Sequence, residues 1–315
     1  MQDRTANPPL ESTFKSLDTE EFIDLHFYRP LGYRWALLFR KLGVSPNTVT
    51  VMAIFLGMAA GVCFYFSSLA VNAIGMMLLV WANTYDSADG QLARMTGNTS
   101  PLGRMLDGFC GDAWFVTIYA AICLRLTPEW GLWIWLLGAV SGYTHTRQAS
   151  MADYYRNVHL YFLKGKTGSE LSNTAALRKE FDRLSWKNDF LLKLGHVFYI
   201  RYTREQEKQT PRLQQMLAVL RTRYADRAPE PFRKSFREKS LPLMKYTNML
   251  SFNTRVIALF ISLSIRMPWI YFIFEATVLN LMLLYMAVKH ERFCSAFAAQ
   301  LASETPDETC STRIK

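Results

Sequence analysis

Cysteine is sparse in this chain of 315 residues: Cys63, Cys110, Cys123, Cys294 and Cys310 are the only five. Their odd number and wide spacing argue against a disulfide framework and a zinc site, and three lie in apolar stretches, where they suit small buried hydrophobes. Zinc-finger spacings and RNA-binding aromatic signatures are lacking too, which makes nucleic acid the weakest partner for a net charge of +10. Met1 to Leu17 is polar and carries both charge signs, so it does not read as a secretory signal. Mean hydropathy is only +0.02 although half the residues are hydrophobic. The apolar residues are instead gathered into blocks on either side of a long charged stretch, and a soluble protein spreads them more evenly. Basic residues beside such blocks suit anionic lipid headgroups.

A membrane-spanning helix needs about 20 mostly apolar residues. Six segments qualify or come close: Thr48 to Leu69, Ala70 to Met95, Gly103 to Leu126, Glu129 to Met151, Asn248 to Ile265 and Pro268 to Val288. Ser45 and Pro46 read as the cap and first residue of the first span, and Pro128 and Pro268 as heads of the fourth and sixth. Glu20 to Lys41 mixes Phe22, Leu25, Trp35 and Phe39 with Arg29, Arg34 and Arg40, the pattern of an amphipathic helix on a membrane face; its plainer reading is a helix packed on the domain. The expected fold is all-α and polytopic, with about six transmembrane helices. Its divisions are an N-terminal tail and amphipathic helix (1–46), spans one to four (47–152), a basic helical insertion resembling a soluble hairpin (153–246), spans five and six (247–290) and a tail (291–315). Lys and Arg lie beside both termini and beside the link carrying Arg94 and Arg104, which predicts that these, with the insertion, face the cytoplasm.

The informative stretch is Asp86-Ser-Ala-Asp89-Gly90-Gln-Leu-Ala93-Arg94, then Gly103-Arg-Met-Leu-Asp107 and Asp112. Charge at membrane depth is costly, so it usually serves function or is paired. Asp86 and Asp89 share one helix face, as do Gly103 and Asp107. Gly90 and Ala93 continue the first face with almost no side chain, so a ligand can approach the backbone. If the two helices are neighbours, three carboxylates converge, an oxygen-only set suited to Mg²⁺, Mn²⁺ or Ca²⁺. The bland reading is helix-end ion pairing with Arg94 and Arg104.

The order D-G-x-x-A-R, eight residues, then G-x-x-x-D resembles the signature of the class I CDP-alcohol phosphatidyltransferase family, and it runs here without a gap from Asp89 to Asp107. The family's further upstream acid falls at Asp86, and Ser45-Pro46-Asn47 resembles its lead-in to the first span. The resemblance covers about Leu42 to Met151. It implies six membrane helices, Mg²⁺ or Mn²⁺ on Asp86, Asp89 and Asp107, and a cytidine nucleotide beside Gly90, Ala93, Arg94 and Gly103. It also implies attack of an alcohol on a CDP-linked lipid donor with release of CMP. CDP-diacylglycerol is the expected donor, inositol or another polyol or polyol phosphate the favoured acceptor, and a homodimer is compatible.

In one respect the sequence departs from the pattern. The family's fourth acid, its general base, comes four residues after the third; here that place is Gly111, and the acid is Asp112. Five residues along a regular helix is about 140° round, against about 40° for four. A one-residue π-bulge would bring Asp112 back as the base. His145, Arg147 and Arg255 are acceptor-site candidates because they are polar groups near the acids, and arginine grips phosphate at two points. The bland readings are an interior histidine and snorkelling arginines. Two other functions compete: an intramembrane prenyltransferase, for which a second aspartate-rich motif is missing, and a catalytically degenerate lipid or nucleotide binder.

Overall fold

The computed structural model describes residues 16–165, 169–224 and 228–303. Most of the expected N-terminal tail, Cys310 and the side chain of Arg104 lie outside them. Among the described residues the fold is all-helical. Three segments are long and apolar enough to cross a membrane: Pro46–Cys63, Met105–Trp130 and Trp269–Ser303. The other three predicted spans fall on helices below that measure, one of them only 13 residues long.

Helix α1 (Arg29–Lys41) packs along α3 (Leu69–Thr96), burying Gly32, Ala36 and Phe39. Helix α2 (Pro46–Cys63) starts as its sequence dictates. Ser45 Oγ accepts the Thr48 backbone N–H at 3.2 Å, and Pro46 needs no donor in the first turn. Gly97, at φ 67°, ends α3 in the left-handed region, and Ser100 caps α4 (Pro101–Trp130).

Helix α2 packs against both α3 and α4, and small residues set how closely. A Cβ on Gly57 would lie 2.1 Å from the Trp114 ring, and one on Gly61 would lie 2.9 Å from Thr117. The Trp114 indole also donates to the Ala53 carbonyl at 2.9 Å. These contacts hold α4 in register with α2.

Two boundaries differ from expectation. Pro128 does not head the fourth helix but lies inside the last turns of α4. Its missing N–H leaves a single carbonyl without a helical partner there, so the last turn continues through it. Helix α5 (Trp133–Lys164) runs well past Met151. The expected insertion therefore begins as a continuation of α5, followed by α6 (Thr174–Arg183), α7 (Phe190–Gln209), α8 (Pro211–Tyr224) and α9 (Glu230–Met249). Instead of a lone hairpin, α8 and α9 build a second apolar core with the end of α5 and with α12 (Asn280–Ser303), around Tyr155, Phe162, Leu217 and Phe236. Helix α10 (Phe252–Ser264) and α11 (Trp269–Phe274) return to the first core. A π-helical turn, Glu275–Leu279, joins α11 to α12.

Candidate active site

Because α2 lies between α3 and α4, the acid-bearing ends of those helices face one another across an opening. One carboxylate oxygen from each of Asp86, Asp89 and Asp107 lies within 4.8 Å of the others. Asp89 is nearly fully buried and accepts a 2.5 Å hydrogen bond from the Thr50 hydroxyl of α2. The sequence reading passed over Thr50: one threonine in an apolar helix is unremarkable until α2 is known to pack on α3.

A cavity of about 270 Å³ opens beside the triad. Asp86 and Asp107 line it, followed along α4 by Gly108, Gly111, Asp112 and Phe115. The π-bulge expected at Asp112 is absent: α4 is regular α-helix throughout. Asp112 reaches the cavity without it, because residues 107 to 115 present one broad face with Asp107 and Asp112 on opposite edges, about 140° apart. An added Cβ on Gly108 or Gly111 would meet nothing within 4 Å, so this wall is open.

Of the nucleotide candidates, Gly90 has free space above it except for the Arg94 guanidinium, 3.5 Å from where a Cβ would stand. Ala93 lies part-buried one turn on. Gly103 is tight: a Cβ there would come within 2.7 Å of Asn47 Oδ1, so its lack of a side chain serves the α2–α4 contact.

His145 and Arg255 both line the cavity. Arg255 is 1% exposed. Its guanidinium donates to Glu275 at 2.6 Å, to Gln148 at 2.9 Å and to the Leu250 carbonyl at 3.0 and 3.2 Å, and contacts His145 Nδ1 at 3.0 Å. Those five contacts match its five N–H groups. Tyr119 Oη at 3.0 Å and Glu275 Oε2 at 3.4 Å share Nδ1 with the guanidinium, so three groups of one network hold the ring. Glu275 also accepts from the hydroxyls of Tyr119 and Tyr271. So Arg255 does not snorkel; it is the hub of a buried network. Arg147 is elsewhere, bound to Gln209 on α7 at 2.6 and 3.2 Å and outside the cavity lining. The sequence reading missed Glu275, although an acid inside the last apolar segment is the same kind of signal that marked the aspartates. The only π turn adjoining this network among the described residues begins at Glu275, not at Asp112.

The remaining walls are aromatic. Trp114, Phe115 and Phe252 line the cavity, with Phe252 centred 5.8 Å from Trp114 and 6.2 Å from Phe115.

Residues 43–169 match the family model described as CDP-alcohol phosphatidyltransferase. The chain is similar to the bifunctional IPC transferase and DIPP synthase of Aquifex aeolicus, at 31% identity over 98 residues, which is 31% of this chain and 22% of that protein. It is similar to cholinephosphotransferase 1 of Rattus norvegicus at 32% over 112 residues, 32% of this chain and 28% of the relative. Against choline/ethanolaminephosphotransferase 1 of Arabidopsis thaliana the figures are 27% over 137 residues, 40% and 34%. The chain thus spans about a third or less of the length of these relatives, and the acid cluster lies within residues 43–169 of the family match.

Proposed function

We propose that the chain, whose residues 43–169 match the CDP-alcohol phosphatidyltransferase family model, transfers a phosphoalcohol or phosphatidyl group from a CDP-linked donor to an alcohol, with release of CMP. The observation that carries this reading is the convergence of Asp86, Asp89 and Asp107 at the edge of a cavity that also holds Asp112. Three carboxylates suit an oxygen-seeking divalent cation, Mg²⁺ or Mn²⁺, which when bound would neutralise the donor pyrophosphate.

The residues divide the remaining work. The space above Gly90 admits the nucleotide, and the Arg94 guanidinium beside it offers donors to a phosphate. Asp112, across the α4 face from the triad, is the base. The acceptor oxygen forms a new bond to the phosphorus bearing the transferred alcohol, the bond from that phosphorus to CMP breaks, and the acceptor proton passes to Asp112. His145, its Nδ1 held by Arg255, Tyr119 and Glu275, leaves its ring to the cavity as a polar group that orients a hydroxyl.

A polyol phosphate loses its main support, because Arg255 has no N–H to spare and Arg147 is outside the cavity. Three aromatic walls near carboxylates favour a cationic amino-alcohol headgroup, with cation–π attraction of about 0.5–2 kcal/mol. Helices α2, α3, α4, α5, α10 and the α11–α12 pair serve as the six spans, and the basic flanks put the acid cluster on the cytoplasmic side.

The test is CMP release by purified protein in liposomes with Mg²⁺ or Mn²⁺ and two donor–acceptor panels: CDP-diacylglycerol with polyols and amino-alcohols, and CDP-choline or CDP-ethanolamine with diacylglycerol. Release that requires metal, one acceptor and Asp89, tested with Asp89→Asn, is expected. Metal-dependent nucleotide binding without turnover in either panel would instead make the chain a degenerate binder.

A further inference from the structure

Helix α7, in the basic insertion, carries an apolar face that nothing among the described residues covers. Phe190, Leu191, Leu194, Val197 and Phe198 are all exposed, Leu191 at 60% and Phe198 at 64%. Their spacing puts them on one side of the helix. Burying such a patch is favourable and leaving it in water is not, so it marks an interaction surface.

Contacts through its buried Gly195 and Gln206, and through Gln209 at its last turn, fix the depth of α7 on the bundle. Gly195 lies against Met105, at the start of the apolar part of α4, where an added Cβ would come within 2.1 Å. Gln206 donates to the Ser150 carbonyl at 2.9 Å, and Gln209 accepts from Arg147. Met105 opens a segment apolar enough to cross a membrane, and Arg147 and Ser150 lie on α5 at the end of the fourth span expected from the sequence. A helix seated there has its outer face toward whatever surrounds the spans.

Helix α1 provides a second depth mark. Its Gly32 lies against Ser87 and Ala88 of α3, one residue from Asp89, which bonds to Thr50 of α2. Asn47 of α2 in turn meets Gly103 of α4. Helices α1 and α7 therefore embrace the bundle at one level, that of the acid cluster. On α4, Phe109, one turn beyond Met105, is also 57% exposed. Toward its C-terminal end the outer face of α7 becomes charged, with Arg201, Arg204 and a Lys208–Glu205 ion pair at 2.7 Å, and Lys187 precedes its start. Cations of this kind suit anionic headgroups.

We propose that α7 is an interfacial membrane helix, its Phe190–Phe198 face sunk among the acyl chains of the leaflet beside the acid cluster and its cations among the headgroups. The insertion is then bound to the bilayer, not a soluble appendage. Membrane contact at α7 is independent of the reaction carried out in the cavity.

The test places the photo-crosslinker p-benzoylphenylalanine at Leu191, Leu194 or Phe198 of the full chain, with Arg204 as the comparison. The chain is reconstituted in vesicles of phosphatidylcholine and phosphatidylglycerol, illuminated and read by mass spectrometry. Lipid adducts at least about tenfold more abundant at the three apolar positions than at Arg204 are expected for a face held in the acyl region. Crosslinks between two chains at these positions would assign the face to a second copy and overturn the proposal. Protein that keeps its native melting profile but yields neither product places the face in water, which also overturns it.

Discussion

Thr50 places its hydroxyl against Asp89, and that bond fixes how one carboxylate of the triad is turned. Outer partners of this kind typically change metal affinity 10–100-fold. Thr50→Val is therefore expected to raise the Mn²⁺ concentration for half-maximal CMP release about tenfold or more, while the metal-saturated rate falls less. An unchanged metal titration would separate Thr50 from the metal site. Asp112→Asn is expected to lower the rate about 10²–10⁴-fold at saturating metal, the usual contribution of a positioned base. Full activity in that variant would end its assignment. Arg255 and Glu275 act through burial. Removing one partner leaves a lone charge in an apolar interior, so Arg255→Met or Glu275→Gln is expected to destabilise the fold by about 3–5 kcal/mol. Arg255→Met with Glu275→Leu should recover much of that loss, as read by thermal melting in detergent. Single and double variants melting alike would show that the pair is uncoupled. The three aspartates were legible in the sequence because their chemistry and spacing are local. Thr50 was not legible, since its role depends on helix pairing. Glu275 was visible as a misplaced charge, but its partners come from α4, α5, α10 and α11.

At the scale of the element, the acid spacing on α4 shows how periodicity alone misleads. A strict reading of 3.6 residues per turn turns Asp112 away from Asp107 and calls for a bulge. The cavity follows a broad face of the helix, so both acids border it on a regular backbone. The width of a cavity is set by neighbouring helices, here α3, α5 and α10, and no spacing within α4 encodes it. Helix starts were legible where chemistry is local, as at Ser45-Pro46. Pro128 and the length of α5 were not, because a proline near a helix end and a polar continuation of a span are both permitted locally. Close packing makes the strongest demand on α2. Gly57→Ala would push a methyl into the Trp114 ring, which the Ala53 carbonyl holds in place. Overpacking of this kind costs about 1–3 kcal/mol. A lowered melting temperature is expected, with weaker activity because Trp114 also lines the cavity. A variant that melts like the parent would mean that α2 and α4 can part without penalty.

At the scale of the whole molecule, the segment before α1 is tied to three distant helices, and its ties respond to pH in opposite senses. Asp18 pairs with Arg237 of α9 at 2.7 and 2.9 Å and contacts His159 of α5 at 3.1 Å. The Arg237 guanidinium holds the Asp18 carboxyl below its ordinary range, and burial holds His159 below 6.5. Both groups have depressed folded values, so their stabilisation is lost on acidification, starting as pH falls through 6.5 for His159. Glu21 is different. It accepts from Asn253 of α10 at 2.8 Å, and burial raises it from 4.5 to about 7. A raised carboxyl binds its proton more tightly in the folded state, so its contribution is favourable below pH 4.5 and is lost as pH rises through about 7. Glu21→Gln keeps an acceptor for Asn253 and removes the ionisation. The variant is expected to match the parent near pH 4.5 and to gain stability progressively up to about pH 7, by at most ~3 kcal/mol. What remains in Glu21→Gln is the His159 and Asp18 dependence, opposed by Asp24, which shares Asn253 and which burial also raises, so the loss of melting temperature toward pH 7 should be smaller than in the parent. Melting curves of parent and variant at a series of pH values measure the difference directly. A constant offset across that range would mean that Glu21 stays ionised throughout and that Asn253 holds a carboxylate rather than an acid.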